Sequence, residues 1–154
     1  MSVKNLEIVE NKTLKLLNVF SKKLENIAVE KIDNEIQKFI NFVDVSKFQI
    51  RGPLITKDSG TKISEAGEIT LDYEVMVQTI NKVTAPNFEF YPELKVTNCL
   101  YVHFDGLQED FQYAQSKLDL YIWENDLIAT GEQYTVHLEE TVERFVADVF
   151  VPLR

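Results

Sequence analysis

The chemistry of this chain is most open at four residues: two histidines, His103 and His137, and two carboxylates set in apolar stretches, Glu74 and Asp148. An imidazole beside a carboxylate can act as a general base, and imidazoles can ligate metals. Zinc, however, needs further ligands at set spacing, and neither histidine has one. No metal or cofactor is therefore expected. Three more side chains alternate with the four along the same stretches: Met76, Tyr101 and Phe150. Aromatic faces attract cations by about 0.5–2 kcal/mol, and a partly desolvated carboxylate adds to that attraction. The set Glu74, Met76, Tyr101, His103, His137, Asp148 and Phe150 thus suits a cationic or amphipathic organic molecule. Each member also has a structural alternative. The carboxylates would serve equally as solvent-facing strand residues, the histidines as surface or packing residues, and the aromatics as sheet packing. Trp123 is expected to cover the core beside Tyr121, and the lone Cys99 to be a small buried residue without chemistry.

No catalytic motif accompanies these residues. There is no phosphate-binding glycine loop, no G-x-S-x-G, no H-E-x-x-H, no C-x-x-C and no calcium loop. Asp58-Ser59-Gly60-Thr61-Lys62 reads as a turn. No catalytic residue is assigned, and whether the chain is an enzyme is left open by the motifs alone.

The elements that position these residues are readable from periodicity. Residues 13–20 form a strand. From about Asn26 to Asp44 the period changes, with Ala28, Ile32, Ile36, Phe39, Ile40 and Val43 tracing one face of an amphipathic helix. Residues 48–55 turn into a strand, 58–68 form a loop, and 71–77 alternate as a half-buried strand. The second half repeats the order: a strand over 98–104, a helix over about 108–125 with Phe111, Ala114, Leu118, Tyr121 and Ile122 on one face, then strands over 133–138 and 145–151. Strand parity sends Leu100, Val102 and Phe104 to the helix, and with them Tyr134, Val136 and Leu138 and Phe145, Ala147, Val149 and Val151. Tyr101, His103, His137, Asp148 and Phe150 are then left on the opposite face.

The 154 residues suffice for one domain, spanning 1–154, with repeats at about 1–80 and 88–154. Leu16–Phe20 overlays Leu100–Phe104, Gly52 falls on Gly131, and Tyr73–Val77 falls on Ala147–Val151, which pairs Glu74 with Asp148. A single cysteine rules out an internal disulfide. No apolar run approaches a membrane span, and the first residues lack a signal-peptide core, so the cytoplasm is the expected location and the Asn11-Lys12-Thr13 sequon carries little weight. Net charge is −9 and unevenly spread: residues 1–77 hold 11 Lys/Arg against 12 Asp/Glu, and residues 78–154 hold 5 against 13. Polyphosphates would be repelled, which argues against nucleic acid.

The strings Cys99-Leu100-Tyr101-Val102-His103-Phe104-Asp105-Gly106, Tyr121-Ile122-Trp123-Glu124-Asn125-Asp126-Leu127, Thr130-Gly131-Glu132-Gln133-Tyr134 and Ala147-Asp148-Val149-Phe150-Val151-Pro152-Leu153 resemble the second half of the GyrI-like effector-binding superfamily. That resemblance implies an α+β fold of two strand-helix-strand-strand repeats about a pseudo-two-fold axis, with an antiparallel sheet, two helices on one face and a ligand cleft on the other. With no helix-turn-helix segment in the chain, it implies a stand-alone bacterial-type member that binds a small, drug-like molecule. The alternatives are a protein-interaction or inhibitor module with an acidic face, and, lesser, a hydrolase in which Glu74 or Asp148 activates water and a histidine moves protons. Monomer and homodimer both fit.

Overall fold

The computed structural model describes residues 6–154. Six strands and two α-helices follow the order β1 (Val9–Ala28), α1 (Ile32–Ser46), β2 (Leu54–Ile63), β3 (Ile69–Gln78), β4 (Glu89–Gly106), α2 (Phe111–Glu124), β5 (Gln133–Glu140) and β6 (Phe145–Pro152). The protein is thus α+β, with strand-helix-strand-strand running twice and antiparallel pairing within each run. By packing, the chain divides into two compact units. One is Leu16–Leu94, and the other is residues 6–15 together with Lys95–Arg154.

In the Leu16–Leu94 unit, β3 lies between β1 and β2, with Phe20 opposite Val77 and Ile55 opposite Met76. Phe20, Val75 and Val77 meet Phe39 and Val43 of α1 in one buried cluster. Burying each such side chain is worth about 1.5–3 kcal/mol, which fixes the helix to that face. The helix starts after a single 3-10 turn at Val29–Lys31, later than the expected Asn26. The reason is that β1 continues to Ala28, bonded to β3 across a bulge between Leu24 and Ile27, where Asn26 takes φ 53°. Asp33 and Glu35 in the first turn suit the helix dipole, and Lys47 closes the helix in the left-handed region.

The loop expected over 58–68 is mostly strand. Residues through Ile63 pair with β3, and only 64–67 turn, closed by Ser64 and Glu68. Exposure on both faces removed the alternation that would have revealed the strand. A bulge between Asp58 and Thr61 contains Gly60 at φ 86°.

In the other unit, β6 lies between β4 and β5. Leu100, Val102, Phe104, Phe145, Ala147, Val149 and Val151 pack with Ala114 and Leu118 of α2, as parity required. The parity expected for β5 is inverted. Tyr134 pairs with Phe150 and Val136 with Asp148, while Thr135 and His137 pair with Val149 and Ala147 on the helix side. Residues directly opposite in an antiparallel ladder share a face, so His137 points away from Asp148. A bulge between His137 and Glu139 then resets the phase, and Leu138 is left exposed. Trp123 corrects another expectation: it is 77% exposed and covers no core. Gly52 and Gly131, matched by the overlay, both take positive φ, 87° and 98°.

Candidate functional site

β4 and β6 bring four of the expected residues together on the face away from α2. Tyr101 pairs with Phe150 and His103 with Asp148 in the ladder. The Tyr101 and Phe150 rings lie 5.1 Å apart, tilted by 48°. The Tyr101 hydroxyl donates to Asp148 Oδ1 at 2.7 Å, and His103 Nδ1 reaches the same oxygen at 2.7 Å. A carboxylate oxygen can only accept, so Nδ1 carries the hydrogen, and Nε2 of a neutral imidazole is left as an acceptor. Burial, and then the Asp148 carboxylate, push the Tyr101 phenol up to about 12, so it remains a donor throughout the physiological range. The Lys12 ammonium, from β1, sits 5.4 Å from the centre of the Tyr101 ring.

Two residues of this face, Tyr134 and Val136, were missed because the phase of β5 could not be read without its bulge. His137, expected here, instead packs its ring 5.9 Å from Phe145, with Nδ1 3.5 Å from Glu140 Oε1. Its pKa is drawn below the ordinary value by burial, with Glu140 acting in the other direction.

Glu74 and Met76 belong to the Leu16–Leu94 unit. Glu74 is only 7% exposed. Its Oε2 accepts from the Ser21 hydroxyl at 2.6 Å and from the Tyr91 hydroxyl at 2.8 Å. Burial and the Glu74 carboxylate raise the Tyr91 phenol to about 12. Lys23 and Lys57 stand opposite Glu74 on the two neighbouring strands. All three line a recess of about 180 Å³ with Asp72 and Glu25. Met76 is fully buried, opposite Ser21 and Ile55. Neither Ser21 nor Tyr91 stood out in the sequence, since each meets Glu74 only through the fold.

Among the described residues, no cluster of three His, Cys, Asp or Glu side chains has a geometry able to hold a metal ion. No helix of the described residues is long and apolar enough to cross a membrane. Cys99 is buried and its thiol is pushed up by that burial, which lowers its reactivity.

No family model matches the sequence, and no curated protein matches it. Solved structures do share the fold. The C-terminal domain of EcmrR matches with a TM-score of 0.71 at 12% identity, covering 97% of this chain and 98% of that domain. Against EcmrR in its complex with DNA the TM-score is 0.70, and this chain spans 57% of the EcmrR chain. SAV2435 bound to tetraphenylphosphonium matches with a TM-score of 0.54 at 9% identity, over 97% of this chain and 94% of that one. A hydrolase encoded by lin2189 from Listeria innocua matches with a TM-score of 0.57 at 10% identity, over 97% and 91%. At such identities the likeness is one of fold.

Proposed function

We propose that the chain is a GyrI-like effector-binding module that takes a small cationic or amphipathic organic molecule, recognised by Tyr101, Phe150 and Asp148. One observation carries this reading: the chain's own Lys12 ammonium rests on the face of Tyr101, the ring whose hydroxyl is bonded to Asp148. A cation is already favoured at that place, and a ligand with aromatic groups would gain the Phe150 face as well. The solved complex of a protein of the same fold with tetraphenylphosphonium agrees with this ligand class.

The test is a titration of the intact protein with tetraphenylphosphonium, read by thermal shift. At about 100 times its dissociation constant the ligand stabilises by about 2.7 kcal/mol. Asp148→Asn weakens binding, and Lys12→Met, which removes the internal competitor, strengthens it. No shift with the wild type, or a shift that neither variant alters, defeats the assignment. Loss in Glu74→Gln alone moves the role to that carboxylate.

A second reading, a protein-interaction module, draws on the exposed face of α2, where Trp123 stands with Leu120 and Tyr113. It predicts a blue shift of Trp123 emission, the chain's only tryptophan, on addition of a basic amphipathic peptide.

A further inference from the structure

On the helix side of the Leu16–Leu94 unit, five phenylalanines form a cluster of a different kind from the rest of the core. Phe20 and Phe88 stack at 4.8 Å and 16°, Phe42 and Phe88 at 4.6 Å and 18°, and Phe20 and Phe42 are within 8° of parallel. Phe39 and Phe48 pack against Phe20 with ring centres at 5.9 and 5.1 Å. Parallel rings present faces rather than edges, and a further flat ring can join such a set. The set is not finished by the protein. Phe42 is 37% exposed, and a depression of about 260 Å³ opens there, lined by Lys22, Glu35, Lys38, Phe39, Phe42 and Phe88. That volume lies just below the roughly 300–1,000 Å³ usual for drug-sized ligands, so one or two fused rings would fill it.

The rim selects the charge. The Lys22 ammonium sits 5.0 Å over the Phe88 ring and donates to the Asn87 carbonyl at 3.3 Å, and among the described residues it makes no ion pair. Lys38 is bonded to Glu35 at 3.1 Å, which leaves the rim with one net positive charge. A cationic aromatic would meet Lys22 directly, whereas an aromatic carboxylate would meet a partner.

From these observations we infer that the depression between β1 and α1 is a binding site for a flat aromatic carboxylate of one or two rings, stacked on Phe42 and Phe88 with its anion at Lys22. This site shares no residue with the Tyr101 constellation, and it prefers the opposite charge.

The experiment is calorimetric titration of the intact protein with 2-naphthoate, 2-naphthylmethanol and 2-naphthylmethylammonium. Binding is expected in the order carboxylate, alcohol, ammonium. Phe42→Ala should weaken the carboxylate and the alcohol alike, by about five- to tenfold, the size of one lost aromatic contact. Lys22→Gln should weaken the carboxylate alone. Should Lys22→Gln melt far below wild type, Lys22→Arg, which keeps the charge and the long side chain, should retain the preference for the carboxylate over the ammonium, and its loss there overturns the assignment. Asp148→Asn should leave 2-naphthoate binding unchanged, so failure here and failure at Asp148 are separate results. An ammonium that binds as tightly as the carboxylate, indifference to Phe42→Ala, or no binding of 2-naphthoate overturns the assignment.

Discussion

Glu74 and Asp148 occupy matching positions in the two halves of the overlay, and each accepts a hydrogen bond from a tyrosine hydroxyl. Their surroundings differ. Glu74 is buried, with Ser21 and Tyr91 both donating to one oxygen and a lysine opposite it on either side. Asp148 is about a quarter exposed, its partners are a phenol and an imidazole, and an aromatic pair stands beside it. The same residue class at the same strand position is therefore a buried acceptor in one unit and a partly exposed one in the other. What decides between them is how completely neighbouring donors and burial use up the carboxylate.

The largest expected contrast is in stability. Glu74→Ala leaves the fully buried Ser21 hydroxyl without its acceptor, which costs about 1–3 kcal/mol, whereas Asp148→Ala leaves a phenol and an imidazole that water can reach and costs under about 1 kcal/mol. Urea denaturation of the two variants measures both. Equal losses would mean that the two carboxylates do the same job.

A smaller contrast of the same kind concerns the tyrosines. Tyr91→Phe removes a donor to a buried acceptor and should cost about 0.5–1.5 kcal/mol, with Tyr101→Phe below that because its acceptor is open to solvent. Spectrophotometric titration offers a parallel check, since both phenols are pushed to about 12 and should ionise after an unperturbed phenol at about 10. Loss of either late-titrating phenol in the matching Phe variant assigns it. In both cases the folded pKa lies above the unfolded one, so this stability is present below pH 10 and is lost as pH rises towards 12.

The parts of this arrangement readable from sequence were those with clean alternation. Leu100, Val102 and Phe104 on β4 and Ala147, Val149 and Val151 on β6 announced their buried face, which placed Tyr101, His103, Asp148 and Phe150 together on the other. β5 defeated the same argument. Tyr134, Val136 and Leu138 look like the apolar set, yet the ladder turns Thr135 and His137 to the helix, and a bulge then shifts the phase. A threonine, and a histidine with its ring against Phe145, pass as interior residues, which hydrophobic pattern alone does not disclose. The donors to Glu74 were hidden for a different reason. Ser21 lies beyond the apolar stretch of β1, and Tyr91 lies in the polar first half of β4, so neither segment declared itself a strand. Lys12 was equally silent, because its place over Tyr101 depends on a contact spanning most of the chain.

The subtlest contrast between the units is in their response to mild acid. In the Leu16–Leu94 unit, burial lifts Asp58 from 3.8 to about 6. Its folded pKa exceeds the unfolded one, so the protonated folded form is favoured, and the associated stability declines as pH rises from about 4 through 6. In the other unit, burial draws His137 below its ordinary 6.5. Its folded pKa is depressed, so the neutral ring favours folding above pH 6.5, and that stability declines as pH falls below it. Between pH 4 and 6 the two groups therefore act on the wild-type profile in opposite directions. Asp58→Asn should raise stability above pH 6 and leave a profile that climbs with pH, from the His137 contribution alone. His137→Gln should remove the acid-side loss and leave the opposite slope. Urea midpoints measured from pH 4 to 7 distinguish the two variants. A loss of stability in Asp58→Asn at pH 7 would show that the Asp58 carboxylate is held by a favourable partner rather than penalised by burial.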